Sequence, residues 1–474
     1  MTHRPTSDRA IAVLRQYWGY DSFRPPQEAI VTDLSQGRDM LVILPTGAGK
    51  SICFQVPALL HAGLTLVVSP LVSLMENQVA ELRERQIPAA LLHSQISKQD
   101  RQDCIRRIEA RQLKLLYLAP ETLLSQSFWP RLPTWANQIS LLIIDEAHCL
   151  LQWGTTFRPI YRRLGSIRPA LPKASFGIGA FTATADPGTA QEIQRVLGLR
   201  SPRIVRESPY RPNLALKISI AWSDRSRRQR LLNFIRAQGE TSGLVYIRSR
   251  REGEELTQWL TGQGCPCLAY HAGLSAQTRR RIEQQWLTGQ TQFVICTSAF
   301  GMGINKPDVR WVCHFHPPLS LSEYLQEIGR AGRDAQPAQA WMLVSEPTGW
   351  LDPYDRQQRQ YFHQERQDHY RHALRLAKRL PQSGHIPALT EIYPQAEMAL
   401  SLLHSLGQVI WTGPLDYRIR PTGKGPAGFS KDEGEVQSMR RFIQTRQCRW
   451  QFILQTFGFE ARLPCGHCDR CGLG

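Results

Sequence analysis

Three short stretches of the sequence carry residue types spaced for work on a phosphoanhydride. The first is Pro45-Thr46-Gly47-Ala48-Gly49-Lys50-Ser51, directly after the apolar run Leu41 to Leu44. Glycines let backbone N–H groups wrap phosphate oxygens, Lys50 would neutralise the terminal phosphates, and the Ser51 hydroxyl can ligate Mg2+. Thr46, Gly47, Gly49, Lys50 and Ser51 are therefore the expected ATP contacts, although Leu44 stands where the general phosphate-loop pattern has its first glycine. The second stretch is Leu141-Leu142-Ile143-Ile144-Asp145-Glu146-Ala147-His148. Four apolar residues predict a buried strand whose end delivers two carboxylates: Asp145 to hold magnesium, Glu146 to orient and deprotonate the attacking water. The third is Gln326-Glu-Ile-Gly-Arg330-Ala-Gly-Arg333-Asp334. Phosphoryl transfer spreads negative charge over the γ-phosphate oxygens, and Arg330 and Arg333, brought in by a neighbouring domain, can meet it. Gln326 completes the catalytic set.

These residues need strands to hold them. Apolar β-rich runs at Leu41 to Leu44, Leu64 to Val68, Leu115 to Leu118 and Leu141 to Ile144 alternate with helical patterns. The rhythm restarts after Asn213 with Leu244 to Ile247, Cys267 to Tyr270 and Phe293 to Cys296. Strand–helix alternation predicts parallel sheets built from βαβ units, hence two α/β domains joined near residues 203–214. After about residue 345 the pattern changes. Residues 355–380 read as a long polar helix, and 386–421 as a helix with apolar residues at Ala399, Leu402, Leu403 and Leu406, stopped by Gly407. Val409 to Trp411 and the alternating Leu415, Tyr417 and Ile419 flank a Thr-Gly-Pro turn, as in a hairpin, and 422–434 reads as a linker. The predicted domains are 1–205, 206–350, 351–434 and 435–474.

A chain of 474 residues has room for about three domains of roughly 150 residues. The net charge of +18, mostly from arginine, points to a polyanionic partner. No run of about 18 apolar residues and no apolar signal core in MTHRPTSDRA occur, so no membrane association and a cytoplasmic location are expected. Of 11 cysteines, the tail groups Cys448, Cys465, Cys468 and Cys471. At that spacing four thiolates can close a structural tetrahedral Zn2+ site, with His467 as an alternative to one of them.

Taken together, the motifs resemble those of the RecQ family of superfamily 2 DNA helicases. Tyr17-Trp-Gly-Tyr20-Asp-Ser-Phe23-Arg24-Pro-Pro-Gln27 is similar to the segment that precedes the family's phosphate loop. The resemblance implies that Gln27 reads the adenine edge, with Tyr20 and Arg24 packed near the base. Ser69-Pro-Leu-Val-Ser73-Leu-Met-Glu-Asn77-Gln78, Thr182-Ala-Thr184, Tyr270-His271-Ala-Gly273-Leu and Ala299-Phe-Gly-Met-Gly-Ile-Asn305-Lys306-Pro307 resemble its DNA-contacting and coupling motifs. This makes Ser69, Ser73, Asn77, Gln78, Thr182 and His271 candidate DNA contacts. Cys149-Leu-Leu-Gln152-Trp153-Gly-Thr155-Thr156-Phe157-Arg158-Pro159 resembles the family's aromatic-rich loop, in which Gln152, Trp153, Phe157 and Arg158 would hold unpaired bases. Thr155 and Thr156 replace the His-Asp pair usual there.

The implied fold is two RecA-like parallel-sheet motor domains, then a helical, winged-helix-like segment and a small zinc-binding subdomain. The implied activity is ATP- and Mg2+-dependent translocation on single-stranded DNA, 3′ to 5′, with unwinding of duplex DNA in recombination or repair. An RNA helicase of the same superfamily, or a non-enzymatic annealing protein, are the alternatives. The C-terminal winged-helix and HRDC domains of many family members are expected to be absent. About 115 residues separate Arg333 from Cys448, more than the motor core needs. The excess, 386–421, is expected to replace the missing winged helix, holding duplex DNA and presenting its hairpin at the strand junction.

Overall fold

The computed structural model describes residues 4–151, 159–172, 174–300, 304, 306–420, 430–461 and 464–472. They form two compact units, one of Met1–Leu44, Ala48–Glu207 and Glu365–Gly428, the other of Pro45–Gly47, Ser208–Gln364 and Phe429–Gly474.

The first unit is built on seven parallel strands: β1 (Met40–Ile43), β2 (Leu64–Val68), β3 (Ala89–Leu92), β4 (Leu115–Leu118), β5 (Ile139–Ile144), β6 (Gly177–Thr182) and β7 (Arg203–Arg206), in the order β3-β4-β2-β5-β6-β1-β7. The inner strands are almost wholly buried, because helices cover both faces of a parallel sheet; this is why they read as unbroken apolar runs. The order places β6 between β1 and β5, with Thr182 paired to Ile43. At the opposite end of these strands Asp39 receives both Nη atoms of Arg168 at 2.6 Å, together with the N–H groups of Ile178 and Arg200.

The second unit carries β8 (Leu214–Ala221), β9 (Ser242–Tyr246), β10 (Leu268–Tyr270), β11 (Phe293–Cys296), β12 (Val309–His314) and β13 (Ala338–Ser345), again all parallel, in the order β10-β11-β9-β12-β13-β8. Serines at 223, 249, 275 and 320 cap its helices by accepting the N–H three residues on.

The long polar helix is present as Tyr354–Ala377. It is followed by β14 (Ser383–His385), the helices Ile386–Ile392 and Ala396–Ser405, β15 (Val409–Trp411) and β16 (Asp416–Ile419). The three strands are antiparallel in the order β14-β16-β15. Helix, strand, two helices and a hairpin around an apolar centre of Leu389, Ala399, Leu403, Trp411 and Tyr417 make a winged-helix arrangement. Two expectations need correction. A helix begins at Ser430, inside the stretch read as a linker, because Met439 and Phe442 on it pack into the core of the second sheet. The hairpin turn is also not free to act as a wedge. Gly413 and Pro414 are buried, Leu415 packs on the core of the first sheet, and the Pro414 carbonyl accepts Arg163 Nε at 2.8 Å. Arg163, on the 3-10 segment Pro159–Ser166, also holds Glu397 of the Ala396–Ser405 helix at 2.7 Å. That helix and the turn, the surfaces a winged helix would offer to DNA, are spent on the first motor sheet.

Breaking a fully buried ion pair costs about 3–5 kcal/mol. Arg163 is 3% exposed and Glu397 33%, so Arg163→Ala should cost less, about 1–3 kcal/mol. Urea unfolding reads this as a lower midpoint, and the exchanged pair Arg163→Glu with Glu397→Arg should recover part of it. A wild-type midpoint for Arg163→Ala would show that the contact does not hold the segment in place.

Candidate active site

The turn after β1 runs directly into the helix Lys50–Leu60, whose cap Gly49 has φ of 74°. Only glycine fits there: a Cβ would lie 2.5 Å from Gln27 Nε2 and in a left-handed conformation. Gln27 is buried, takes the N–H of Arg24 on Oε1, and donates to the carbonyls of Ala48 at 3.0 Å and Gly49 at 3.4 Å. It is thus tied to the phosphate loop, while Tyr20 and Arg24 beside it are exposed. Lys50 Nζ rests on the Leu44 carbonyl at 3.2 Å.

At the end of β5, Asp145 is 8% exposed and takes the Glu146 N–H on Oδ1 at 3.0 Å. Burial, and next the charge of Glu146, raise the Asp145 pKa, and Lys50 pulls against them. A buried carboxylate short of positive charge, with a hydroxyl (Ser51) on the adjoining helix, is a donor set that fits a hard divalent cation. Glu146 sits at φ of 49°. Its Oε2 is 3.2 Å from His148 Nδ1, and that same nitrogen is 3.0 Å from Thr182 Oγ1. The Thr182 hydroxyl donates to the Thr184 carbonyl and accepts the Thr184 N–H. Burial opposes a charged His148, but Cys149 and Glu146 outweigh it and raise the pKa to about 10. The residues of the Thr-Ala-Thr motif are thereby linked to Glu146, because β6 lies beside β5.

Three expected DNA contacts are placed elsewhere. Ser69 and Thr182 are buried, at 1% and 0% exposure, so neither can touch a strand directly. Gln78 turns inward: its Nε2 donates to Ser51 Oγ at 2.8 Å and its Oε1 accepts from Tyr117 and Gln55. On the same helix, Val72–Glu84, Ser73 is half-buried and Asn77 exposed. The link through Gln55 and Tyr117 was not visible in sequence, since neither lies in a recognisable motif. Gln152, Trp153, Phe157 and Arg158, with Thr155 and Thr156, lie outside the described residues, as do Gly301 to Gly303 and Asn305.

In the second unit Gln326 lies half-buried on the helix Leu321–Ile328. That helix is anchored by His314 to Glu327 at 2.8 Å and by Arg248 to Glu323 at 2.6 Å. Arg330 and Arg333 follow in the next turn. Arg333 donates to the carbonyls of Ile304 and Gly329, and burial, then the charge of Arg330, lower its pKa to about 9. Cations crowded out of water are poised for an anion. His271 is buried with Nε2 at 3.0 Å from Glu254.

The four tail thiols lie within 4.8 Å of one another, with Cys465–Cys471 at 3.5 Å and Cys468–Cys471 at 3.3 Å. A tetrahedron of Zn–S bonds near 2.3 Å has edges of about 3.8 Å, so the set fits zinc. His467 is not among them; its Nδ1 faces the Cys465 carbonyl at 2.6 Å. The site is joined to the second sheet: Leu216 bridges Cys468, and Trp450 Nε1 donates to the Leu214 carbonyl at 3.1 Å.

Known proteins share these features. The DEAD/DEAH box helicase model matches residues 24–193, the helicase conserved C-terminal domain 226–335, and the RecQ zinc-binding model 422–472. A Synechocystis sp. protein named ATP-dependent DNA helicase RecQ is 49% identical over 466 residues, covering 97% of this chain and 98% of that one. The protein of that name from Pasteurella multocida is 35% identical, covering 98% and 63%. Among solved structures, S. cerevisiae Dbp5 bound to RNA and ADP BeF3 aligns at TM-score 0.58 and 16% identity, covering 74% of this chain and 90% of that one. Mycobacterium smegmatis helicase Lhr bound to ssDNA and AMP-PNP aligns at 0.58 and 18%, covering 96% and 66%. At such identities these two share the fold alone.

Metal analysis should find about one zinc per chain. Because the thiolate cluster is fastened to β8, Cys468→Ser should lower the melting temperature by roughly 5 °C or more. A metal-free protein with unchanged melting would leave the four thiols without a role.

Proposed function

Since the chain belongs to the RecQ family of ATP-dependent DNA helicases, we propose how its own residues drive that activity. The chain hydrolyses ATP, acts on DNA and has a zinc-binding domain. The observation that carries the assignment of roles is the meeting of Lys50, Asp145 and Glu146 at one end of the first sheet, forced by the β5-β6-β1 order. Backbone N–H groups of Thr46 to Ser51 cradle the phosphates, and Lys50 leaves the Leu44 carbonyl for the terminal ones. Gln27, Tyr20 and Arg24 hold the base. Ser51 and Asp145 would hold magnesium, which when bound would supply charge neutralisation on the phosphate oxygens. Glu146 takes a proton from water as the water oxygen bonds to the γ-phosphorus and the bond to the ADP oxygen breaks. Arg330 and Arg333 offset the charge that spreads over the transferred group, with Gln326 positioning them.

The DNA contacts are assigned to Ser73 and Asn77 and, by family resemblance, to Gln152, Trp153, Phe157 and Arg158; His271, buried against Glu254, is not one of them. Ser69, Gln78 and Thr182 act behind them, as links to the ATP site. Direction 3′ to 5′ and a role in recombination or repair rest on the family alone. Domain limits of 1–205, 206–350, 351–434 and 435–474 remain the working division, with 386–421 belonging to a winged helix that starts on the long helix before it. Among the described residues no helix is long and apolar enough to cross a membrane. We place the protein in the cytoplasm because a thiolate metal site is kept reduced there.

ATP turnover measured with single-stranded DNA, with RNA and with neither tests the reading, with stimulation expected from DNA only. Equal stimulation by RNA would move the chain to another helicase class. Lys50→Ala should lose ATP binding, whereas Glu146→Gln should bind ATP and turn over about 100-fold or more slowly. Wild-type turnover by Glu146→Gln would remove Glu146 from its role.

A further inference from the structure

Past β13 the chain makes a turn, residues 346–352, whose construction the ATPase mechanism does not use. The Glu346 carboxylate faces inward and accepts the N–H groups of Thr348, Trp350 and Leu351 and the Thr348 hydroxyl. Both feet of the turn are gripped by one buried guanidinium: Arg227 donates to Ser345 Oγ at 2.9 Å and to Asp352 Oδ2 at 2.7 Å. Gly349 at φ of 66° sets the bend. The product of this bracing is a tryptophan pointed at water. Trp350 is 85% exposed, the most exposed large apolar side chain among the described residues, with Leu351 beside it at 66%.

A large aromatic ring left in water on a mobile loop needs no explanation, but where several hydrogen bonds fix the backbone that carries it, the backbone share of the ordering cost is met before any partner arrives. The surroundings identify the partner. The acids of the turn are consumed inward: Glu346 by its donors, Asp352 by Arg227, and Asp355 by His316 and Arg227. Exposed Arg356 lies alongside, close enough that a Cβ on Gly349 would meet its Cδ at 3.3 Å. A second exposed tryptophan, Trp222, leaves β8 next to the point where Glu346 leaves β13, since Ala221 pairs with Ser345. All six strands run parallel, so Trp222 and Glu346 leave the sheet at the same end as His271, although β8 and β10 are its opposite edges. Beside Trp222 the one exposed acid, Asp224, is paired with Arg228 at 2.8 Å. Aromatic faces with a neighbouring cation and acids already paired suit an unpaired base and its phosphate.

We propose that Trp350, braced by Glu346 and flanked by Arg356, is a stacking platform for a base of single-stranded DNA. This rests on the reading of the chain as a DNA helicase. Stacking on one aromatic ring is worth roughly 5- to 100-fold in affinity. The test is binding of a labelled oligo-dT strand to the full chain by fluorescence anisotropy, beside ATP turnover with and without that strand. Trp350→Ala should weaken binding by about that factor, Trp350→Phe should restore most of it, and turnover without DNA should be unchanged. Wild-type affinity in Trp350→Ala overturns the proposal and leaves the turn to a protein partner. Equal loss in the Phe and Ala variants also overturns it, since a ring face would then not be what binds. The wild-type arm tests the helicase reading separately: without DNA binding or stimulation there, that reading fails before the variants are compared.

Discussion

One imidazole nitrogen, His148 Nδ1, lies within hydrogen-bonding range of both Glu146 and Thr182, and the proposed coupling of the site to its neighbouring strand rests on that shared contact. As the proposed base, Glu146 would have to hold a water in line with a phosphorus, and an error near 1 Å at that point would slow the reaction greatly. It projects from a residue in the left-handed region, where backbone strain is tolerated only if neighbours hold it. His148 is such a neighbour, and Thr182 lies behind it; both are buried. A displacement of the Thr182–Thr184 segment therefore has a direct route to the hydrolytic carboxylate. Gln78 supplies a second route, from the helix carrying Asn77 to Ser51.

Much of this was legible in the residues. The runs Leu64–Val68, Leu115–Leu118 and Phe293–Cys296 are strands over the lengths that they announce, because continuous burial in a parallel sheet leaves no polar interruption. The phosphate loop, the carboxylate pair and the thiols announce themselves because their chemistry fixes both residue type and spacing. β6 was missed. Gly177 and Gly179 interrupt its apolar pattern, and both are there because a Cβ would meet the Gly37 carbonyl at 2.7 Å and Ile143 Cδ1 at 2.9 Å. β14, Ser-Gly-His, has no strand signature and exists only through its pairing with β16. Direct contact of Ser69 and Thr182 with DNA was inferred from motif membership. Burial decides otherwise, and no local pattern reports burial at a strand end.

The segment between the second sheet and the zinc site illustrates the same limit. Apolar spacing and a glycine stop identify the helix Ala396–Ser405 and the hairpin, and these assemble as a winged helix. What the winged helix touches is set by Arg163 and Glu397, 234 positions apart, which no reading along the chain would pair. Its helix and turn pack against the first sheet. The zinc cluster similarly braces β8 through Trp450 and Leu216. Both appended elements thus stabilise the sheets that carry the reaction.

The account depends most on transmission through Thr182, and Thr182→Val removes the hydroxyl while keeping the shape of a fully buried site. Of the hydroxyl's three contacts, with His148 and with the carbonyl and N–H of Thr184, only the first leads to Glu146; its loss, at about 1–1.5 kcal/mol, corresponds to roughly five- to tenfold in rate. Measured as ATP turnover at saturating single-stranded DNA and without DNA, Thr182→Val should lose stimulated turnover by about that factor and keep the unstimulated rate within about twofold. Unchanged stimulation, or equal loss in both conditions, would contradict it.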